Sequence, residues 1–129
     1  MVAIFCQRML AGQPLTVFGD GGQTRDYVYV GDVARAHVLA AKRATLPAGR
    51  VDERGINLGT GRETSVVELA QALMRASGRS APLQHAPARP GEQRRSVVSI
   101  GKAGQVLGWT PQVGLEQGLA QTFEWFASR

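Results

Sequence analysis

Apolar residues recur at helical spacing from the start of the chain: Val2, Phe5, Cys6, Met9 and Leu10 share one face, and Gly12 stands where a helix would stop. This predicts a helix over residues 2–11. Pro14 bars its continuation, and Leu15-Thr16-Val17-Phe18, β-rich and closed by glycine, reads as a strand. After the loop GDGGQTRD, Tyr27 to Val30 has strand composition. Asp32 is then placed to cap a helix over Val33 to Arg43, whose last residues, Lys42 and Arg43, suit the helix dipole. Residues 44–54 read as a loop and Gly55 to Gly59 as a short buried strand. Ser65 and Glu68 predict a capping box for a helix with Val66, Leu69, Ala70, Leu73 and Met74 on one face, ended by Gly78. Short strands are expected at Leu83 to His85 and Ser96 to Ile100, a helical turn at Lys102 to Leu107, and an amphipathic helix from Leu115 to Phe126. Helices alternating with strands give an α/β or α+β class.

With 129 residues, 43% of them hydrophobic, the chain fits one domain able to bury a core. Cys6 is the single cysteine, so the chain forms no internal disulfide and no cysteine metal site; a buried thiol in a reducing cytoplasm is expected. The apolar run VAIFC is too short for a secretion signal, and no segment approaches a membrane span.

Net charge is +5, and 13 of the 15 basic residues are arginines, whose planar forks grip phosphate. Six basic residues against one acid, Glu92, fall between Arg75 and Lys102, yet no aromatic residue lies between Tyr29 and Trp109 to stack bases. A phosphorylated small molecule therefore fits better than nucleic acid.

Gly59-x-Gly61-x-x-Thr64, between a strand-like run and a helix, has the context of a dinucleotide loop but lacks the third glycine and the acid about 20 residues on, so a tight turn is the better reading. Asn57 either reaches a ligand across the strand tips or bonds its own backbone. No tyrosine stands four residues before a lysine; His37 and His85 have no carboxylate beside them in sequence; no metal spacing exists. Arg25, after a glycine turn, and Arg89, stiffened by Pro90, are two rigidly mounted forks that could clamp a diphosphate, the alternative being solvated surface arginines.

The runs LTVFGDGGQTRDYVYVGDVARAH, INLGTGRETSVVELA, PGEQRRS and LGWTP, in this order over essentially the whole chain, resemble the C-terminal part of the NAD-dependent epimerase/dehydratase family, the extended short-chain dehydrogenases. RPGE followed by a basic pair is similar to its UDP-sugar 4-epimerase branch; the 4,6-dehydratases usually carry histidine-aspartate after RPG and tryptophan in place of Tyr27. The resemblance implies an α/β fold, the C-terminal substrate-binding portion with a small mixed sheet and flanking helices, residues 1–129 forming one nucleotide-sugar-binding domain. It implies that Thr16, Val17 and Phe18 line a nucleobase pocket, Arg25 and Arg89 hold the diphosphate, Tyr27 lies by the pocket, Asn57 near phosphate or ribose, and Glu92 accepts from a ribose hydroxyl. A UDP-sugar is the implied ligand. NAD is the implied cofactor of the intact enzyme, held by an N-terminal Rossmann half with the Tyr-x-x-x-Lys pair. This chain is accordingly expected to be a fragment with no catalytic residue and no bound NAD of its own. The face of the 2–10 or 32–43 helix that meets the missing half should then be unusually apolar. Two other readings stay open: a related dehydratase, decarboxylase or reductase fragment, and a non-catalytic nucleotide- or protein-binding module.

Overall fold

A computed structural model describes residues 1–129. Helix α1 (Val2–Leu10) leads into strand β1 (Leu15–Phe18), and a glycine loop connects β1 to the two-residue strand β2 (Thr24–Arg25). Helices α2 (Val30–Ala41) and α3 (Val51–Arg54) follow, then β3 (Thr64–Ser65), α4 (Val66–Ser77), β4 (Leu83–Ala86), α5 (Gly101–Leu107) and α6 (Leu115–Ala127). The strands form two separate ladders: β1 runs parallel to β4 with Leu15 opposite Leu83, and β2 runs antiparallel to β3 with Arg25 opposite Thr64.

The main core lies where α1, α4 and α6 meet β1. Each helix turns its apolar stripe inward, so Phe5, Cys6 and Met9 meet Leu69, Ala70 and Leu73, with Leu119 and Phe123 closing the layer. Strand alternation sends Leu15 and Val17 into this core and leaves Thr16 and Phe18 on the outer side. Burial also pushes the Cys6 thiol up from its ordinary pKa. The start of α4 carries the expected box, with the Ser65 hydroxyl accepting from Glu68 N–H at 3.2 Å and the Glu68 carboxylate accepting from Ser65 N–H at 2.8 Å.

A second core gathers Ala36, Ala103, Leu107 and Trp109. Asp32, 3% exposed, is its polar hub: its carboxylate accepts from Arg35 and from the backbone N–H groups of Gln112 and Val113, while its carbonyl accepts from the Trp109 indole. Asp32 thus ties the LGWTP segment to α2 from inside the first turn and does not cap the helix, which begins earlier at Val30. Tyr27 to Val30 and Gly55 to Gly59 form no ladder, and residues 51–54 are helical. Val28, Ile56 and Leu58 nevertheless pack on the second core, and Tyr27 on the first. Ser96 to Ile100 is irregular too.

The outer faces of α1 and α2 are largely apolar, interrupted by Gln7 and His37. Ile4 is 56% exposed on α1, and Val30, Ala34, Val38 and Ala41 form an exposed stripe along α2. No helix is long and apolar enough to cross a membrane.

Candidate functional site

A cleft of about 320 Å³ opens where β1 ends, between the glycine loop and the segment 88–94. Phe18, the last residue of β1, forms one wall, and the Arg89 guanidinium lies 3.7 Å from its ring centroid. Such a cation–π contact contributes about 0.5–1 kcal/mol when exposed and fixes the fork over the ring. Glu92 faces the same space. Its carboxylate lies 3.9 Å from the Arg25 guanidinium and accepts from the Gln23 amide at 3.4 Å. Arg94 grips Asp20 with two parallel bonds of 2.8 and 2.7 Å, and Asp20 also accepts from Gly22 N–H at 2.9 Å. The Arg94 fork, with that N–H, holds the Asp20 carboxyl well below the usual carboxylate range. The lining thus carries two guanidinium groups and two carboxylates, which suits a ligand presenting both anionic oxygens and hydroxyl donors.

The segment 92–95 is stitched to the glycine loop. Thr24 N–H donates to the Arg94 carbonyl at 2.9 Å, and Arg25 donates to the carbonyls of Gln93 and Thr24 at 2.8 and 2.7 Å. Arg95 forks onto Glu63, whose carboxylate also accepts from the Thr24 hydroxyl, and this pairing lowers the Glu63 pKa.

The residues singled out from the sequence are therefore distributed unevenly. Phe18, Arg89 and Glu92 line the cleft. Arg25 does not; it meets the cleft through Glu92, and its other bonds pin the neighbouring loop. Val17 is fully buried, so it offers a ligand only backbone, and the Thr16 hydroxyl accepts from Arg8 at 2.6 Å. Tyr27 borders a different, apolar groove of about 260 Å³ beside α6; its hydroxyl is buried without a partner, and burial raises its pKa against the pull of Arg25. Asn57 is exposed and lines neither space. Asp20, Gln23 and Arg94 line the cleft without having been singled out; only their membership of the GDGGQ and RR runs hinted at them.

Of the six basic residues of the Arg75–Lys102 stretch, four are bonded to acceptors within the protein and two, Arg79 and Arg89, lie over aromatic rings. Arg75 pairs with Glu116, Arg79 lies over Phe123, Arg89 over Phe18, Arg94 binds Asp20, Arg95 binds Glu63, and Lys102 donates to the Glu53 carbonyl. They form no free track for a nucleic-acid backbone.

A family model described as GDP-mannose 4,6-dehydratase matches residues 1–122. The chain belongs to the epimerase/dehydratase family. Within this family it is 45% identical over 129 residues to UDP-glucose 4-epimerase of Mycolicibacterium smegmatis, covering 100% of this chain and 39% of that protein. Among solved structures, it is similar to UDP-glucose 4-epimerase of Thermotoga maritima with UDP-glucose, at 41% identity and a TM-score of 0.85, covering 98% of this chain and 39% of that one. The Thermus thermophilus UDP-glucose 4-epimerase complex with NAD is 42% identical with a TM-score of 0.82, covering 97% and 39%. The chain thus spans about two fifths of the length of the relatives it matches and corresponds to the C-terminal part of an epimerase/dehydratase.

NAD, held by the Thermus thermophilus relative, finds no fit at the glycine turn before α4. The turn at Gly59 to Gly61, the one place with dinucleotide-loop context, is filled by the Asp26 carboxylate, which accepts from Thr60 N–H at 2.7 Å, the Thr60 hydroxyl at 2.6 Å and Gly61 N–H at 2.9 Å. A pyrophosphate would have to displace that carboxylate. The first turn of α4 is likewise closed by its own box. His37 and His85 bond the carbonyls of Val33 and Gly19.

Proposed function

We propose that the cleft binds the nucleotide part of a UDP-sugar, and that the chain is the nucleotide-sugar-binding portion of an NAD-dependent 4-epimerase, residues 1–129 forming one such domain. The observation that carries this is the stacking of Arg89 on Phe18 at the cleft mouth: it fixes the guanidinium while leaving its edge N–H groups, which bond no protein acceptor, for a diphosphate, with the Glu92 carboxylate in the same cleft for a hydroxyl. Thr16 to Phe18 border the base, with Val17 contributing backbone. Arg89 takes the diphosphate, and Arg25 supports it from behind Glu92, which accepts from ribose. Tyr27 and Asn57 lie outside this cleft and would reach a ligand only through the part of the site supplied by the rest of an intact enzyme.

In that reading this chain grips the nucleotide, orients it and leaves the sugar unheld. Hydride transfer, which NAD supplies in the intact enzyme, and the proton-accepting tyrosine belong to a Rossmann half, so the chain alone is silent in catalysis. The apolar stripes of α1 and α2 and the groove beside Tyr27 are the surfaces fitted to that half. The epimerases among the relatives, together with RPGE before a basic pair, favour 4-epimerase over dehydratase.

Calorimetric titration of UDP into the 129-residue chain tests this. Binding in the micromolar to millimolar range that weakens at least tenfold in Arg89→Ala, with the fold intact, supports it. Equal affinity in both proteins would overturn it.

A further inference from the structure

One wall of the cleft, made by Ala88, Arg89, Glu92 and Arg94, comes from a single segment of chain, Pro87 to Arg95. Every residue of that segment is solvent-exposed, so no apolar side chain anchors it by burial. It leaves β4 at Ala86, whose carbonyl accepts from Gly19 N–H at 2.8 Å, and it turns at Gly91, where φ is +74°. Its far end carries two forks in succession, Arg94 on Asp20 and Arg95 on Glu63, and the Arg94 carbonyl accepts from Thr24 N–H. Between these ends it is held by Arg89 over Phe18, by the Gln93 carbonyl on Arg25 and by Glu92.

Exposed ion pairs contribute little each and are screened by salt, and a segment without buried apolar contacts opens at low free energy while the core stays closed. The glycine loop is shaped to seat the clasp. A Cβ at Gly22 would stand 2.9 Å from Arg94 Nη2 and 3.3 Å from Asp20 Oδ1, although φ there lies outside the left-handed region. We propose that residues 87–95 are a strap, hinged at Ala86 and latched by Arg94 on Asp20 and Arg95 on Glu63, that swings off the glycine loop as a unit. Closed, it completes the cleft; open, it removes one whole wall and gives a ligand its way in and out. Glu63, Arg95 and Gly22 do not line the cleft, so they act on its opening and not on what it holds.

Amide hydrogen exchange in the ligand-free chain, read residue by residue by NMR, tests the strap. Its reporter is Thr24 N–H, whose acceptor travels with the strap; the references are Gly19 N–H at the hinge and the amides of α4. In Asp20→Asn and in Glu63→Gln, Thr24 exchange should rise about fivefold, while the references stay within about twofold. Gly22→Ala, which wedges the clasp without removing a charge, should act in the same direction. Unchanged Thr24 exchange in all three variants would overturn the proposal, as would an equal rise in α4, which would mean global loss of stability. Exchange of UDP in Glu63→Gln, followed by NMR line shapes, should speed up in both directions with affinity within about threefold, since the closed form is weakened in the free and bound chain alike. A tenfold loss of affinity with an unchanged entry rate would make Glu63 a support of the binding wall and overturn the strap. No binding of UDP at all defeats the nucleotide reading alone; the hydrogen-exchange result, which uses no ligand, still decides the strap.

Discussion

The carboxylate of Asp26 sits in the turn made by Thr60, accepting from its N–H at 2.7 Å and from its hydroxyl at 2.6 Å. A glycine-rich turn ahead of a helix is thus occupied from within, and the cleft lies at the other glycine loop, between Phe18 and Arg94.

Asp26→Ala should therefore destabilise the chain. It orphans two N–H groups and a hydroxyl, and hydrogen bonds to a charged acceptor contribute about 1.5–3 kcal/mol each but are not additive, so a loss of about 2–4 kcal/mol is expected in urea unfolding. UDP affinity of the folded fraction should be unchanged. A loss below about 0.5 kcal/mol would show that the turn holds without its internal anion.

Asp32 makes the fold acid-labile. Although burial opposes ionisation, the Arg35 bond and the N–H groups of Val113 and Gln112 lower its pKa below the unfolded value of about 3.9. Its contribution is fully present above that value and is lost as pH falls through the lower, folded one. Thermal unfolding followed from pH 6 to pH 2 should show a steeper acid loss in the unaltered chain than in Asp32→Asn, which should itself be less stable by about 2–4 kcal/mol at pH 7.

Gly21 sets the cleft loop against the core. Its φ is +72°, and a Cβ there would stand 2.5 Å from both Val17 Cγ1 and Val67 Cγ2. At Gly12, with φ +65°, a Cβ would meet nothing within 4 Å. Alanine at either position carries the left-handed cost of about 1–2 kcal/mol, but only Gly21→Ala adds overpacking, so it should cost at least about 1–2 kcal/mol more than Gly12→Ala in denaturant melts. Equal costs would mean that the loop moves freely off β1.

The sequence made α1, β1, α4 and α6 legible because each has an uninterrupted apolar period and a marked stop, such as the Ser65–Glu68 box. It misplaced strands at Tyr27 to Val30 and Gly55 to Gly59 for a physical reason. Tyr27 and Val28 turn to opposite cores, and Ile56 and Leu58 share one, so the alternation is real, but it records burial and not pairing. Asp32 looked like a cap because a carboxylate at a helix start usually is one; its partners are about eighty positions away and invisible in local sequence. In the cleft, Phe18, Arg89 and Glu92 were legible through runs of known resemblance. Gln23 and the Asp20–Arg94 pair were not, since nothing in a polar glycine loop marks which side chain becomes buried or which distant fork meets it. Arg25 was expected to share a diphosphate with Arg89; its hydrogen bonds go to the carbonyls of Thr24 and Gln93, and it meets the cleft only through Glu92.

The most direct measurement is a map of backbone amide NMR shifts as UDP is added to the labelled chain. Perturbations should concentrate at Phe18 to Gln23 and at Arg89 to Arg94, with the amides of Thr60 and Gly61 unmoved behind Asp26. Shifts centred on residues 59–64, or spread evenly with no focus at Phe18 and Arg89, would contradict the assignment of the cleft.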